Sequence, residues 1–456
     1  MTEWTFDADD LDEDEEDADP PPGPAELRLA RALALAFLGT DGRRRAMIEA
    51  ALATLHVPDE ARARAWIGAL VALVRRTFDP LRRASLDELT TTIAHGRALA
   101  RRDRGVHVVR WVATPGEMRA PRWDVPRIDT VGDLARWLDV EIGELDWLAD
   151  RRAMLVRARV GPLHHYVRTW VPKPSGGARL IEAPKARLAA IQRRVLREVL
   201  ERVPMHDVAH GFRRGRSVAT FVAPHVGRAV VVRVDLEDFF ASVTRGRVIG
   251  IFRSAGYPEE IARTLAALCT TRTPASEMRG IEHAVRARLR VPHLPQGAPT
   301  SPALASLAAF RLDARIEGLA RAVGARCTRY ADDVALSFER DRSHGAIDRV
   351  IARIAEIARE EGFGVASHKT RVMRRGARQS LAGVVVNERP AVAREEYERL
   401  RAILHRAATR GPSPDELGAH RDLRAHLAGR IAWIAQWSER RGAKLAAMLA
   451  RIDWSA

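Results

Sequence analysis

The stretch RYADDVALSF, Arg329–Phe338, sets two adjacent aspartates, Asp332 and Asp333, between a tyrosine and an apolar run. The flanking segments read as strands, so the acids fall at the tight turn that joins them. A third acid, Asp235, ends VVVRVD (Val230–Asp235), which reads as a buried strand. Clustered, half-buried carboxylates repel each other and are costly unless a cation neutralises them. Hard divalent ions suit oxygen ligands, and Mg²⁺ is typically held by one or two carboxylates plus substrate phosphates. Three aspartates on two neighbouring strands can hold two ions about 4 Å apart, the arrangement used for in-line phosphoryl displacement. Taken alone, an Asp-Asp turn reads first as a solvated hairpin tip.

The bulk composition narrows the partner. Of 456 residues, 46% are hydrophobic and only 5% aromatic, so a sizeable core must lean on Ala, Leu, Val and Ile. The net charge of +16 hides an asymmetry: the first twenty residues hold eleven acids and no Arg or Lys. The rest sets 75 basic residues against 48 acidic ones, a net of +27, which points to a polyanion such as nucleic acid. Only four lysines occur, Lys173, Lys185, Lys369 and Lys444, so each is a candidate for a site that wants a compact ammonium. Cys269 and Cys327 form no C-x-x-C pair, which argues against zinc and a disulfide framework and for a reducing, cytoplasmic setting. The acidic N-terminus lacks a signal-peptide pattern, and no apolar run reaches the ~18–20 residues of a membrane span.

Along the chain, residues 1–24 read as a disordered acidic tail ending in PPPGP. Residues 25–128 read as a helical N-terminal extension in which no chemistry is legible. Thr130 followed by Asp133 is a capping-box pattern that opens two short helices. From Tyr166 the texture changes. YVRTWVPKPSGGARLIEAPK reads as two extended segments around a Gly-Gly turn, and ARLAAIQRRVLREVLERV as a basic amphipathic helix. Further helices are expected near 245–270, 298–322 and 346–361, short strands near 363–367 and 381–386, and helix again over the last sixty-odd residues.

Three runs occur together: RYADDVALSF, VDLEDFFASV (Val234–Val243) and LPQGAPTSPALASL (Leu294–Leu307). Together they resemble the palm motifs of reverse transcriptases. The resemblance implies that Asp235, Asp332 and Asp333 are the metal-binding catalytic triad for two Mg²⁺ ions, with Mn²⁺ a substitute and the Leu236 carbonyl an extra ligand. It places Phe240 as a sugar gate whose flat ring excludes a 2′-hydroxyl, with Gln296 bordering the same pocket. VPKPSGGARLIEAPK resembles the fingers hairpin of the bacterial enzymes, where Lys173 and Arg179 would meet the incoming dNTP. Lys369, in EEGFGVASHKTRVM, matches a motif lysine near the triphosphate. Arg213, Arg214 and Arg216, in HGFRRGRS, would contact the template backbone, Tyr330 the primer terminus, and Gly383, in LAGVVVN, the primer-grip segment.

The chain is most similar to retron-type reverse transcriptases, broadly from residue 130 onward. It departs from their pattern at three places: FVAPH (Phe221–His225) keeps only the histidine of N-A-x-x-H, Leu381-Ala382-Gly383 keeps only the glycine of V-T-G, and Ser306 stands where Asn is usual. The resemblance implies an α+β right-hand polymerase, with fingers and palm over 129–387, a helical thumb over 388–456 and a helical N-terminal extension. Its expected partners are a structured non-coding RNA that serves as template and primer, dNTPs, and a defence effector protein in antiphage defence. The priming hydroxyl stays open. Two rival readings are a template-independent polymerase of the abortive-infection kind and a non-catalytic RNA-binding scaffold.

Overall fold

The structure, a computed structural model, describes residues 22–78, 84–109, 117–155, 161, 163–172, 177–411 and 422–454. Of the acidic tail only residues 22–24 are described, and Pro24 already opens the first helix. Lys173 lies outside the described residues. Contacts divide the chain into two compact units, Met1–Met118 with Ile128–Leu145, and Arg119–Arg127 with Asp146–Ala456.

In the first unit the helices Pro24–Leu38, Arg44–Thr54, Glu60–Thr77 and Leu86–Ala94 turn their apolar stripes inward. They bury Leu33, Phe37, Met47, Ile67, Leu70, Leu89 and Ile93 in one core. A short ladder pairs β1 (Leu55–His56) with β2 (His107–Val108). Thr130 and Asp133 form the reciprocal capping box, each side chain accepting from the other's amide at 3.1 Å, and so start the helix Val131–Leu138. Gly132 in that helix is pressed onto the Thr40 carbonyl, and a Cβ there would lie 1.6 Å from the oxygen. The helix therefore belongs to the N-terminal unit.

The second unit is built on an antiparallel sheet. A hairpin of β3 (Tyr166–Pro172) and β4 (Ala178–Pro184) precedes it. The sheet itself contains β5 (Val230–Glu237), β6 (Ala325–Tyr330), β7 (Asp333–Phe338), β8 (Gly364–Val365) and β9 (Arg371–Arg374). Strand β5 is central: β7 pairs along one edge, while β8 and β9 share the other. Its Val230, Val231, Val232 and Val234 are fully buried, as a β-branched run covered on both faces requires. The helices Val218–Val222 and Phe310–Ala322 pack on β6, and His344–Glu360 packs on β8.

A small sheet of β10 (Ser380–Leu381), β11 (Val384–Val385) and β12 (Ala391–Val392) follows. The last helices, Arg394–Arg410, Leu423–Trp437 and Glu439–Leu449, bury Leu400, Leu404, Leu427, Ile431 and Leu445 in a core of their own. Helices and antiparallel sheet together make an α+β architecture. No helix among the described residues is long and apolar enough to cross a membrane.

Candidate active site

The register of the central sheet sets Asp235 directly opposite Asp333. The Leu236 amide donates to the Asp332 carbonyl at 2.9 Å, one residue beyond the pair on each strand. That makes Asp235 and Asp333 a non-hydrogen-bonded pair, in which Cα atoms typically approach to about 4.5 Å and side chains share a face. The turn before Asp332 is tight: Ala331 takes a left-handed φ of +56°. The buried Arg329 guanidinium donates to the Ala331 carbonyl at 2.8 Å and grips Asp313 through two bonds of 2.6 and 2.7 Å.

The acids are under strain. Burial pushes the Asp332 carboxyl above its ordinary range, and the neighbouring Asp333 and Asp235 push it further. Burial also pushes up Asp333, with Arg233 opposing and Asp235 adding to the rise. Two protein cations relieve the crowding. The Lys369 ammonium donates to Asp235 Oδ1 at 2.8 Å, and Arg233 Nε to Asp333 Oδ1 at 2.7 Å.

Beside this cluster opens a cavity of about 470 Å³. Arg179 from β4, Phe240, Gln296, Leu236, Asp332 and Lys369 all line it. Phe239 and Phe240 both line it; Phe239 is 3% exposed and stacks on Phe363, whereas Phe240 is half-buried. The Glu182 amide donates to the Gln296 carbonyl at 2.8 Å, tying the β4 strand to the loop that carries Gln296. Other expected residues lie outside the cavity wall. Arg213 folds back onto the His206 carbonyl and Asp207, while Arg214 and Arg216 project into solvent. Tyr330 packs on Phe221, and Gly383, with φ +81°, makes the exposed turn between β10 and β11.

Residues 171–399 match the family of reverse transcriptases (RNA-dependent DNA polymerases). The chain is 45% identical to the Retron Mx65 reverse transcriptase of Myxococcus xanthus over 73% of its own length and 74% of the relative's. It is 36% identical to the Retron Mx162 reverse transcriptase of the same organism, over 75% and 70%. To the Retron Ec86 reverse transcriptase of Escherichia coli it is 33% identical, over 51% and 66%. The chain belongs to the retron reverse transcriptases. Membership brings the right-hand polymerase fold and RNA-directed DNA polymerase activity.

Reverse transcriptases generally use divalent metal ions. Among the described residues no three His, Cys, Asp or Glu side chains already form a cage. The donor chemistry nevertheless fits. Hard carboxylate oxygens whose ionisation is opposed by burial and by each other, and to which two protein cations are already drawn, suit an ion such as Mg²⁺.

Several groups in this retron reverse transcriptase were not singled out from its sequence. Arg233 joins the expected Lys369 as an internal counter-ion, and Arg288 reaches Glu237 at 3.4 Å from the cavity wall. Glu182 is buried and accepts from Arg168 Nε, Thr273 Oγ1 and His293 Nε2, each at 2.9 Å. Burial opposes its ionised form, but His293 and Arg168 reverse that and hold the carboxyl below its usual range. Phe212, between His210 and Arg213 of the basic motif, also lines the cavity. The available signal was a charge inside a strand pattern, Glu182 in RLIEAP.

Proposed function

We propose that this chain adds deoxynucleotides to a hydroxyl primer on a structured non-coding RNA, using two divalent ions. The reading rests above all on one observation, the face-sharing Asp235–Asp333 pair beside a cavity walled by Asp332. Asp235, Asp332, Asp333 and the Leu236 carbonyl are the ligands. The ions, when bound, supply Lewis-acid activation of the attacking hydroxyl and charge compensation for the leaving pyrophosphate.

The chain's own residues do the rest. Arg179 on β4 meets the triphosphate together with Lys173, as cations on a closing hairpin do. Lys369 lines the cavity while holding Asp235, which supports a role in balancing charge as the acid cluster and the polyphosphate come together. Phe240 lies beneath the sugar and Gln296 beside it. Arg214 and Arg216 are free to meet template phosphates, and Arg213 joins them by leaving Asp207. Tyr330 and Gly383 steady the primer. In this reading fingers and palm lie within 129–387, 388–456 are the thumb, and 25–128 are a helical extension that the helix Val131–Leu138 joins. Family membership is the ground for proposing an RNA partner, an antiphage setting and an associated effector protein.

The test is Asp332→Asn in the full chain. Incorporation of dNTPs should fall to background while RNA binding stays within a few-fold of wild type. Retained incorporation defeats the assignment. Sequencing the wild-type product decides templating: copies of a defined RNA are expected, and random or homopolymeric DNA would overturn it.

A further inference from the structure

The segment Val208–Phe212 is clamped onto the edge of the catalytic turn. Arg329 N donates to the Val208 carbonyl at 2.7 Å, and His210 N donates to the Arg329 carbonyl at 2.8 Å, in a parallel bridge of Ala209 with Arg329. Gly211 then lies so near Ala331 that a Cβ would come within 2.6 Å of its nitrogen. The next residue, Phe212, takes φ +60°, a left-handed conformation rare for a bulky side chain. Two left-handed residues, Phe212 and Ala331, thus belong to segments held in direct contact. The strain delivers a ring that is 43% exposed and lines the cavity. Its centroid lies 6.1 Å from that of Phe240 and 6.4 Å from that of Tyr330.

A strained backbone persists where the surroundings over-determine it, and such residues cluster at functional sites. Here the surroundings hold an aromatic side chain out of the core and into the cavity. From this placement we infer that Phe212 is a specificity-determining residue. Its ring forms an apolar shelf against the base pair being made and senses that pair's shape. The inference rests on the proposed reading of the cavity, in which Phe240 underlies the incoming sugar and Tyr330 the primer end. Phe212 neighbours both rings, so it meets the pair where new nucleotide and primer join. A hydrocarbon ring offers no hydrogen-bond partner to base edges. It therefore discriminates by fit, penalising a displaced pair while tolerating all four correct ones.

The experiment separates ring from backbone. Phe212→Asn and Phe212→Gly both accept a left-handed φ and remove the ring, whereas Phe212→Tyr keeps it. Single-nucleotide insertion on a defined RNA template with a DNA primer gives kcat/KM for the matched and the mismatched dNTP. The ring-less variants should raise the mismatched-to-matched ratio by about tenfold, and Phe212→Tyr should stay near wild type. A uniform loss for all nucleotides with an unchanged ratio means a merely structural role and overturns the inference. Asp332→Asn is the parallel control. If it still incorporates, the reading of the cavity itself fails. If it is inactive and the ratio does not move, only the role of Phe212 falls.

Discussion

Arg329 and Asp313 offer the sharpest test of how the catalytic turn is held. Both side chains are 1% exposed, and the guanidinium spends three of its donors inside the protein. Two go to the Asp313 carboxylate and one to the Ala331 carbonyl. Arg329→Met removes the cation and leaves Asp313 buried and unpaired. Breaking a buried pair from one side costs about 3–5 kcal/mol. Asp313→Leu strands the guanidinium instead and should cost a similar amount. The double variant removes both charges, so it should recover most of that loss. What remains is the loss of one hydrogen bond at the half-buried Ala331 carbonyl, about 1 kcal/mol. Urea denaturation of the four full-length chains measures these differences, and the double-mutant cycle isolates the coupling. The double variant should also turn over at least about tenfold more slowly, because a loosened Ala331 lets Asp332 drift from its working position. Single variants within 1 kcal/mol of wild type, or a double variant no more stable than the worse single, would refute the reasoning.

Two further outcomes follow from the same geometry. Phe240→Ala should open room for a 2′-hydroxyl, so the preference for dNTP over rNTP in kcat/KM should fall by about 10–200-fold. An unchanged preference removes Phe240 from the sugar pocket. Asp332→Asn should stabilise the protein at neutral pH while abolishing incorporation. The folded carboxyl titrates above the ordinary value of 3.8, so its ionisation opposes folding. That penalty is full above the folded pKa, shrinks as pH falls from there towards the unfolded value, and is gone below it. The variant's advantage should therefore be present at pH 7 and vanish on acidification. Melting curves across pH decide it, and an advantage that grows as pH falls sinks the explanation.

What was legible in the sequence, and what was not, divides along the distance between partners. The central strand could be read because Val230–Asp235 carries its own burial signal, and the Asp-Asp turn because two strand-like runs flank it. Once β5 and β7 pair, the register alone sets Asp235 against Asp333. The hairpin bearing Arg179 was likewise announced by two strand-like runs with a Gly-Gly pair between them. Apart from Lys369, the neutralising groups were not, since their partners lie 16 residues away for Arg329–Asp313, 100 for Arg233–Asp333 and 111 for His293–Glu182. No periodicity links such positions. An arginine inside a strand pattern looks like any solvated charge until the fold supplies its carboxylate. The helix Val131–Leu138 shows the same limit in packing. Its capping box fixed where it starts, but an apolar stripe does not say which core it will join, and contact with Thr40 settled that. Local rules therefore locate the acids, whereas the groups that make three crowded carboxylates tolerable come from tertiary structure. It follows that a substitution at Asp313, which touches none of the three acids, should disturb the cluster through Arg329 and the Ala331 turn.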